Sequence, residues 1–226
     1  MTDGENVVFS AGGAALYPAI LAPEEVQDLA GRMEALISGR PGKRLVGMEW
    51  DGLVDAEGRI GRIAAGLIGM QAKPVRVAVL DKTVEANWSV AWHQDRTIAL
   101  RERIETDGFG PWSTKDGICH VAPPVSLLAG MVTLRVHLDD CPADNAPLKV
   151  ALGSHVLGFV AADRAARVAE AHPILSCLAE AGDIWAYSTL ILHASERAQK
   201  AGRRRVLQVD YAAEDLPGNL EWRGLD

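Results

Sequence analysis

The pattern of apolar and polar positions divides the chain into a helical first part and a strand-rich remainder. Apolar residues recur at helical spacing after Pro23 and again after Ile60, which predicts amphipathic helices over about residues 23–38 and 60–70. Pro23 suits the first turn of a helix because its missing N–H leaves no hydrogen bond unmade there. We therefore expect two helices near the N-terminus, each with one buried face.

From residue 74 onward the apolar period changes to two, which is typical of strands. Val75, Val77 and Val79 share one face of the first predicted strand, and this face is suited to packing on the helices. The opposite face, which carries Arg76 and Lys82, should therefore turn towards the interior. Further strands are predicted over residues 131–138, 148–152, 173–178, 183–188 and 204–211.

Two stretches interrupt these strands. Residues 161–171 predict a short helix, and residues 96–129 form a charged, Gly- and Pro-containing excursion, which in a compact domain is more often functional than idle. Helices followed by many short strands indicate an α+β, mainly β, fold, with helices behind a sandwich or jelly-roll barrel. A doubly wound sheet is disfavoured because helices do not alternate with the later strands. We expect one domain over residues 1–226, helical to about residue 72 and β-structured over about 73–212.

Composition narrows the classes of function. The 226 residues are 48% apolar and 23% charged, as in an ordinary globular protein, and the net charge of −7 argues against a nucleic-acid-binding protein. The start of the chain is polar and acidic, unlike a signal or transit peptide. No apolar run reaches the roughly 20 residues that span a membrane. The three cysteines lack a C-x-x-C spacing, so we expect free thiols in a reducing cytoplasm.

The sequence Trp92-His93-Gln94-Asp95 is the first candidate for chemistry. An imidazole and a carboxylate at i and i+2 of an extended strand point to the same face, so both could bind one metal ion. A buried carboxylate without a partner would be unfavourable in this tryptophan-flanked stretch. By itself, however, the pattern also fits a core histidine beside a surface aspartate.

A third metal ligand would have to come from a distant part of the chain. His193 follows an apolar run and has Arg204 eleven residues after it, at the start of a predicted strand. Two histidines and one carboxylate with open coordination positions form the facial triad of non-haem Fe(II) oxygenases. His137, which shares a strand face with Arg135, is the next candidate ligand. The further alternatives are His120, His155 and His172.

The arginines at 203–205 divide between the two faces of the last strand. Arg204 points to the same side as Gln208, and its two neighbours point the other way. Most basic runs on an acidic chain are solvated, but one arginine of this run could face the interior. A buried guanidinium needs a partner such as a carboxylate, and a carboxylate cosubstrate can supply it if the chain does not. The same question arises for Arg76, Lys82 and Arg135.

Taken together, these residues resemble the phytanoyl-CoA dioxygenase-like family of Fe(II)- and 2-oxoglutarate-dependent oxygenases. The resemblance covers roughly residues 75–212, in stretches that follow the family order, whereas the first seventy residues match only as generic helices. The matching stretches are residues 92–95, Leu138-Asp139-Asp140-Cys141 through Asn145-Ala146-Pro147-Leu148, Gly153-Ser154-His155, Gly182-Asp183, and His193-Ala194-Ser195 followed by Arg204 and Tyr211.

The resemblance implies a double-stranded β-helix fold and an enzyme that uses Fe(II), 2-oxoglutarate and O2. It implies that His93, Asp95 and His193 bind the iron. Related halogenases lack the carboxylate ligand and leave its site to a halide. The presence of Asp95 therefore favours hydroxylation or another oxidation, with release of succinate and CO2.

The resemblance also implies a cosubstrate pocket. Arg204, with Ser195 beside it, corresponds to the residues that bind the distal carboxylate of 2-oxoglutarate. Lys82 and Arg135 match positions that line the pocket, although some relatives carry a different residue at the position of Arg135. Arg76 is expected there because its strand face turns inward.

The substrate is expected to be a small molecule, without nucleic-acid or membrane partners. Residues 96–129 are expected to cover the mouth of the pocket, with Trp112, Lys115 and His120 as candidate substrate contacts. The oligomeric state is left open. Two other classes fit parts of the pattern: a non-catalytic jelly-roll module that binds a metal or ligand, and a cupin-type metalloenzyme that does not use 2-oxoglutarate.

Overall fold

The computed structural model of the chain describes residues 9–37, 42–45, 52–200 and 202–225. Four α-helices serve as landmarks: α1 (Pro23–Ile37), α2 (Gly61–Ile68), α3 (Val125–Ala129) and α4 (Ala165–Glu170). Helices α1 and α2 confirm the two helices that the periodicity predicts, although residue 38 lies outside the described residues. Helix α2 ends where Gly69 adopts a φ of 99°, which glycine reaches without a Cβ clash.

The described strands form three antiparallel sheets. The major sheet has the order β1 (Ala14–Tyr17), β11 (Ile184–Ser188), β8 (Val132–His137), β13 (Arg204–Ala212), β3 (Lys73–Lys82) and β2 (Gly42–Leu45). The minor sheet has the order β10 (Ile174–Cys177), β9 (Leu148–Ala151), β12 (His193–Ser195) and β4 (Val90–His93). The third has the order β5 (Ile98–Leu100), β7 (Ile118–Val121) and β6 (Trp112–Lys115). The major and minor sheets are the two layers of a double-stranded β-helix.

The N-terminal helices cover the outer face of the major sheet. Val77 and Val79 of β3 and Leu134 of β8 are almost fully buried, in one cluster with Leu29 and Met33 of α1. Burial of these apolar side chains is the main force that fixes which face of β3 turns outward. The opposite face of β3 lines a cavity between the two sheets, as the alternation predicts.

The N-terminal part is not purely helical, and here the prediction is wrong. Strands β1 and β2 come from this part and form the two edges of the major sheet. Neither segment, Ala-Ala-Leu-Tyr or Gly-Lys-Arg-Leu, alternates between apolar and polar residues. The sheet partners, rather than the local pattern, make these segments extended.

Residues 96–129 form a folded lobe rather than an open loop. The lobe contains the third sheet and α3, and Leu100, Val121 and Leu128 are buried in a cluster with Val75 of β3. The predicted helix at 161–171 is a 3-10 turn at Ala162–Arg164 followed by α4. Among the described residues, no helix has both the length and the apolar character needed to cross a membrane.

Candidate active site

His93 and His193 meet across the minor sheet. His93 ends β4 and lies opposite His193 of β12 in the antiparallel register, with 4.2 Å between ring centroids. Asp95 follows two residues later, and its Oδ2 lies 4.0 Å from His193 Nε2. One potential ligand atom from each of the three side chains lies within 4.8 Å of the others. Within the ranges that the structure describes, no other three His, Cys, Asp or Glu side chains meet this geometry.

Both imidazoles hold the tautomer that a metal ion requires. His93 Nδ1 lies 2.8 Å from the carbonyl oxygen of Ala91, and His193 Nδ1 lies 3.0 Å from that of Ile191. A carbonyl oxygen only accepts hydrogen bonds, so each Nδ1 carries the proton and each Nε2 keeps its lone pair. The ring of Tyr187 packs beside His193, with 5.4 Å between centroids. The two nitrogen donors are therefore oriented before any ion binds.

The protonation states of His193 and Asp95 suit metal binding at neutral pH. Burial lowers the pKa of His193 to about 4, and the charge of Asp95 offsets only part of this effect, so the imidazole is neutral. Burial acts to raise the pKa of Asp95, but His193, Arg76 and His93 outweigh it and hold the pKa below its usual value. Neutral imidazoles and an ionised carboxylate are the forms that bind a metal ion.

A cavity of about 220 Å³ extends from the triad between the two sheets. The polar side chains of its lining, apart from the triad, are Arg76, Lys82, Arg135, Ser195, Arg204 and Gln208. A wider cleft of about 960 Å³ lies beside α2, but it contains none of the triad residues. Size alone therefore does not identify the site, whereas the converging charged groups do.

Arg204 is buried in this cavity without a counter-ion. Its side chain is 2% exposed, and its Nε and Nη1 find no hydrogen-bond partner among the described residues. Burial, followed by the charge of Arg135, lowers its pKa to about 10. A buried guanidinium without an anion is unfavourable. The position is therefore suited to the carboxylate of a ligand.

Lys82 lies opposite Arg204 in the register of β3 and β13. Its Nζ donates to Ser195 Oγ at 3.0 Å and to the carbonyl oxygen of Glu196 at 2.9 Å, and it lies 5.1 Å from the ring centroid of Trp88. Burial, with the charges of the two nearby arginines, lowers the pKa of Lys82 to about 8. An ammonium group has three N–H donors, so one remains for a ligand.

The other two cations of the cavity differ from each other. Arg76 Nε donates to a carboxylate oxygen of Asp210 at 2.5 Å, and the other oxygen of Asp210 accepts from Thr133 Oγ1 at 3.1 Å. Arg135 Nη1 meets only the amide oxygen of Gln208, at 3.3 Å, and its Nε is unpartnered within the described chain. Among the described residues, Arg76 thus has an acidic partner and Arg135 has none.

The neighbours of Arg204 point outward, as the alternation predicts. Arg203 Nη2 donates to Asp81 at 2.9 Å and lies 2.8 Å from Glu34. Arg205 Nη2 donates to Asp139 at 2.7 Å. Each outer arginine therefore has a carboxylate partner.

The alternative histidine ligands lie away from the triad. His137 is buried beneath the cavity, where burial lowers its pKa to about 3, and neither ring nitrogen has a hydrogen-bond partner in the described part of the chain. His120 and His172 each meet a backbone carbonyl through Nδ1, at 2.9 Å. None of these, nor His155, belongs to the cluster of potential metal ligands.

The predicted substrate contacts lie on the third sheet. Lys115 Nζ donates to Thr97 Oγ1 at 2.9 Å, and its charge acts on Asp95, so Lys115 lies near the metal end of the cavity. Trp112 packs on the apolar cluster that contains Leu100, Val121 and Leu128, and His120 is fully buried. None of the three predicted substrate contacts lines the cavity.

Sequence reasoning missed four polar or aromatic residues of the site. The ring of Trp88 packs against the ammonium group of Lys82, and Asp210 accepts a hydrogen bond from Arg76. The amides of Gln94 and Gln208 are buried beside the triad and Arg135. A polar residue on the inward face of a strand was the available signal for Gln208 and Asp210, whereas nothing local marks Trp88 or Gln94.

The fold and the site define a non-haem iron oxygenase of the double-stranded β-helix class. A preoriented His/Asp/His set fits a divalent iron ion, and the unpaired Arg204 fits the distal carboxylate of 2-oxoglutarate. The family model described as phytanoyl-CoA dioxygenase (PhyH) matches residues 9–206. The chain belongs to this family, and it is an iron- and 2-oxoglutarate-dependent oxygenase.

Solved structures share the fold at low sequence identity. The non-haem α-ketoglutarate-dependent carbocyclase SnoK from nogalamycin biosynthesis is 14% identical, with a TM-score of 0.68 over 100% of this chain and 88% of its own. HygX from Streptomyces hygroscopicus, with nickel and 2-oxoglutarate bound, is 18% identical, with a TM-score of 0.64 over 94% and 87%. Apo EctD from S. alaskensis is 16% identical, with a TM-score of 0.71 over 94% and 77%. No curated protein matches the chain.

Proposed function

We propose that this oxygenase hydroxylates a small-molecule substrate and couples that oxidation to the conversion of 2-oxoglutarate and O2 into succinate and CO2. In this proposal His93, Asp95 and His193 bind Fe(II), and Arg204 binds the distal carboxylate of 2-oxoglutarate. The observation that carries it is the buried guanidinium of Arg204, which shares one cavity with the triad and has no acidic partner among the described residues. A metal-binding module or a cupin that does not use 2-oxoglutarate has no need of such a group.

The protein's own residues orient and shield the reaction. Bound iron and 2-oxoglutarate supply the oxidising chemistry. The two Nε2 atoms and one oxygen of Asp95 provide three ligands and leave the other coordination positions open. Apolar residues Ala78, Leu80 and Leu148 line the cavity wall and limit the water that reaches it, which strengthens the electrostatic contacts inside.

Further cations complete the cosubstrate pocket. Lys82, held by Ser195, has one N–H left for the ligand beside Arg204. Arg135 adds positive charge along the pocket, because its hydrogen-bond partner among the described residues is the neutral amide of Gln208. Arg76, already paired with Asp210, helps through its charge to keep Asp95 ionised, and its contact with the cosubstrate stays a prediction.

Hydroxylation is the reaction that the ligand set favours. Related halogenases lack the carboxylate ligand, and a halide takes its coordination position. In this proposal Asp95 occupies that position, so a halide cannot bind there. Trp112, Lys115 and His120 stay predicted substrate contacts, and of these Lys115 lies close enough to Asp95 for its charge to act on that carboxylate. The free thiols of Cys119, Cys141 and Cys177 support a cytoplasmic location.

The test is substrate-dependent release of succinate. The purified protein is supplied with Fe(II), 2-oxoglutarate and pools of small metabolites in air, and succinate is measured by NMR. We expect at least one pool to raise succinate above the uncoupled background, and Asp95→Ala to remove the increase. A wild-type protein that fails to bind 2-oxoglutarate, or succinate release that Asp95→Ala leaves intact, would contradict the proposal.

A further inference from the structure

Two segments flank the metal end of the cavity on its outer side. Residues 95–97 follow β4, and residues 154–160 follow β9, whose Val150 pairs with His193. Ala151 donates its N–H to the carbonyl oxygen of Leu192 at 2.9 Å, so β9 also ends beside the triad.

Gln94 fixes the second segment to the metal-binding strand. Its side chain is buried (4% exposed), and its Nε2 donates to the carbonyl oxygens of Gly158 at 2.8 Å and of Leu190 at 2.7 Å. Its Oε1 accepts from Val160 N at 2.9 Å. The two neighbours of Phe159 in the chain, Gly158 and Val160, are therefore both hydrogen-bonded to Gln94. Gln94 itself lies between the predicted metal ligands in the sequence.

An apolar surface results on the segment that the side chain between His93 and Asp95 holds in place. Phe159 is 46% exposed, and Val156, Leu157 and Val125 are also exposed. A Cβ on Gly158 would lie 3.7 Å from Val125, so Val125 borders the same segment. Exposed apolar side chains that cluster beside a reaction centre are typical of ligand contacts. We call these four residues, together with Arg96, the rim surface.

Arg96 gives the rim surface a positive charge that the described residues do not neutralise. Its guanidinium lies 5.9 Å from the ring centroid of Phe159, and it forms no ion pair with any residue in the described ranges. Arg103 makes a similar contact with Trp112 at 5.5 Å, yet it donates to Glu105 at 2.7 Å. Each arginine thus makes a cation–π contact of its own. Arg103 also has an acidic partner, whereas Arg96 has none among the described residues.

The cavity that the triad borders also has an excess of positive charge. Arg76 is balanced by Asp210, but Lys82, Arg135 and Arg204 face a lining whose one carboxylate belongs to Asp95. With Fe(II) and one 2-oxoglutarate dianion bound, the cations still outnumber the anions. The loaded site therefore attracts a further anion.

We propose that the rim surface binds the substrate, and that this substrate is an anion with an apolar body and one carboxylate. The apolar body lies on Phe159 and its neighbours, and the carboxylate meets Arg96. This inference rests on the proposed function, because it assumes that a substrate enters at the metal end.

The experiment uses three probes of equal length: 4-phenylbutyrate, 4-phenylbutan-1-ol and 4-phenylbutylamine. Each is titrated calorimetrically into the protein loaded with Fe(II) and 2-oxoglutarate under nitrogen, while the visible metal-to-ligand band is followed. We expect the carboxylate to bind about tenfold or more tightly than the alcohol, and the amine most weakly, because a guanidinium–carboxylate contact is charge-assisted. Binding of the carboxylate should also shift the band.

Matched variants separate the rim surface from general electrostatics. Arg96→Gln should bring the carboxylate and the alcohol to within about twofold of each other, whereas Arg103→Gln should leave their ratio unchanged. Phe159→Ala should weaken both probes by a similar factor. Equal affinities in the wild type, or a ratio that Arg96→Gln leaves intact, would overturn the inference.

Two outcomes are read separately. If the wild type gives no visible band with Fe(II) and 2-oxoglutarate, the proposed function fails, whatever the probes do. If sedimentation shows a dimer that Phe159→Asp dissociates without changing probe affinity, the rim surface is a self-association interface and the inference fails.

Discussion

Arg204 and Arg205 are adjacent in the chain and meet opposite environments. Arg205 reaches an acid on the protein surface, Asp139, at 2.7 Å. Arg204 is 2% exposed and has two nitrogens without a partner among the described residues. An unpaired buried charge lowers stability and persists where a ligand needs it. At the scale of single residues, this contrast is the clearest mark of the cosubstrate pocket.

Replacing Arg204 should therefore separate cosubstrate binding from iron binding. We expect Arg204→Gln to weaken 2-oxoglutarate binding by roughly tenfold to a hundredfold, since a hydrogen bond to a charged group contributes about 1.5–3 kcal/mol. Iron affinity should not change. Calorimetric titration of 2-oxoglutarate and of Fe(II) checks both, with Arg205→Gln as the matched control. Equal losses in the two variants would count against the pocket assignment.

Lys82 should make cosubstrate binding depend on pH. Its pKa in the free protein is lowered from 10.5 to about 8, so the ammonium loses its proton as the pH rises through 8. Affinity for the 2-oxoglutarate dianion should fall by up to about tenfold between pH 7 and pH 9 if the charged form binds. The fall should vanish in Lys82→Met and persist in Lys149→Met, whose lysine pairs with Glu196. A flat wild-type profile would exclude this role.

At the scale of secondary structure, the site depends on strands that are brought together from far apart in sequence. His93 and His193 are paired by β4 and β12, one hundred positions apart. Gln94 then holds the carbonyl of Leu190 and the segment at 158–160 against the same strand. The geometry of the triad is thus tied to three separate stretches of backbone.

Gln94→Leu should loosen these stretches together. The change leaves two buried backbone groups and one partly buried group without a partner, so we expect a loss of about 2 kcal/mol in the free energy of unfolding. The amide of Val160 should exchange with solvent faster in hydrogen-exchange mass spectrometry. Gln199→Leu, at an exposed position, serves as the control. Unchanged exchange at Val160 would show that Gln94 does not hold the segment.

The sequence predicted those elements whose pattern is local and long enough to read. Two local patterns were sufficient without information on distant residues: the three valines at alternate positions of β3, and the spacing of His93 and Asp95. Strands β2 (Gly-Lys-Arg-Leu) and β5 (Ile-Ala-Leu) do not alternate between apolar and polar residues and were missed, whereas β9, also of four residues, was predicted. The acid partner of Arg76 could not be predicted either, because the register of β13 on β3 decides it.

At the scale of the whole molecule, the cavity concentrates polar groups inside the β-helix at a cost to stability. His137 is one example: it is buried, without a partner for either ring nitrogen in the described chain, and its pKa is lowered to about 3 by burial and by Arg135. In the folded protein the ring stays neutral, whereas in the unfolded chain it gains a proton below about pH 6.5. Stability is therefore lost as the pH falls through 6.5.

The size of this effect can be measured by chemical denaturation. Between pH 7 and pH 5 the free energy of unfolding of the wild type should fall by about 2 kcal/mol more than that of His137→Leu. The reason is that His137 gains a proton in the unfolded wild-type chain but not in the folded one, and the variant lacks this group. All other groups titrate in both proteins and cancel in the difference. Equal losses in the two proteins would mean that His137 is protonated in the fold.

The central claim is that three distant side chains bind one iron ion together with 2-oxoglutarate. The most direct measurement is the visible metal-to-ligand band on anaerobic addition of Fe(II) and 2-oxoglutarate, in the wild type and in four single alanine variants. We predict a saturable band in the wild type and in His172→Ala, and its loss in His93→Ala, Asp95→Ala and His193→Ala. A band of full intensity in His193→Ala would contradict the account.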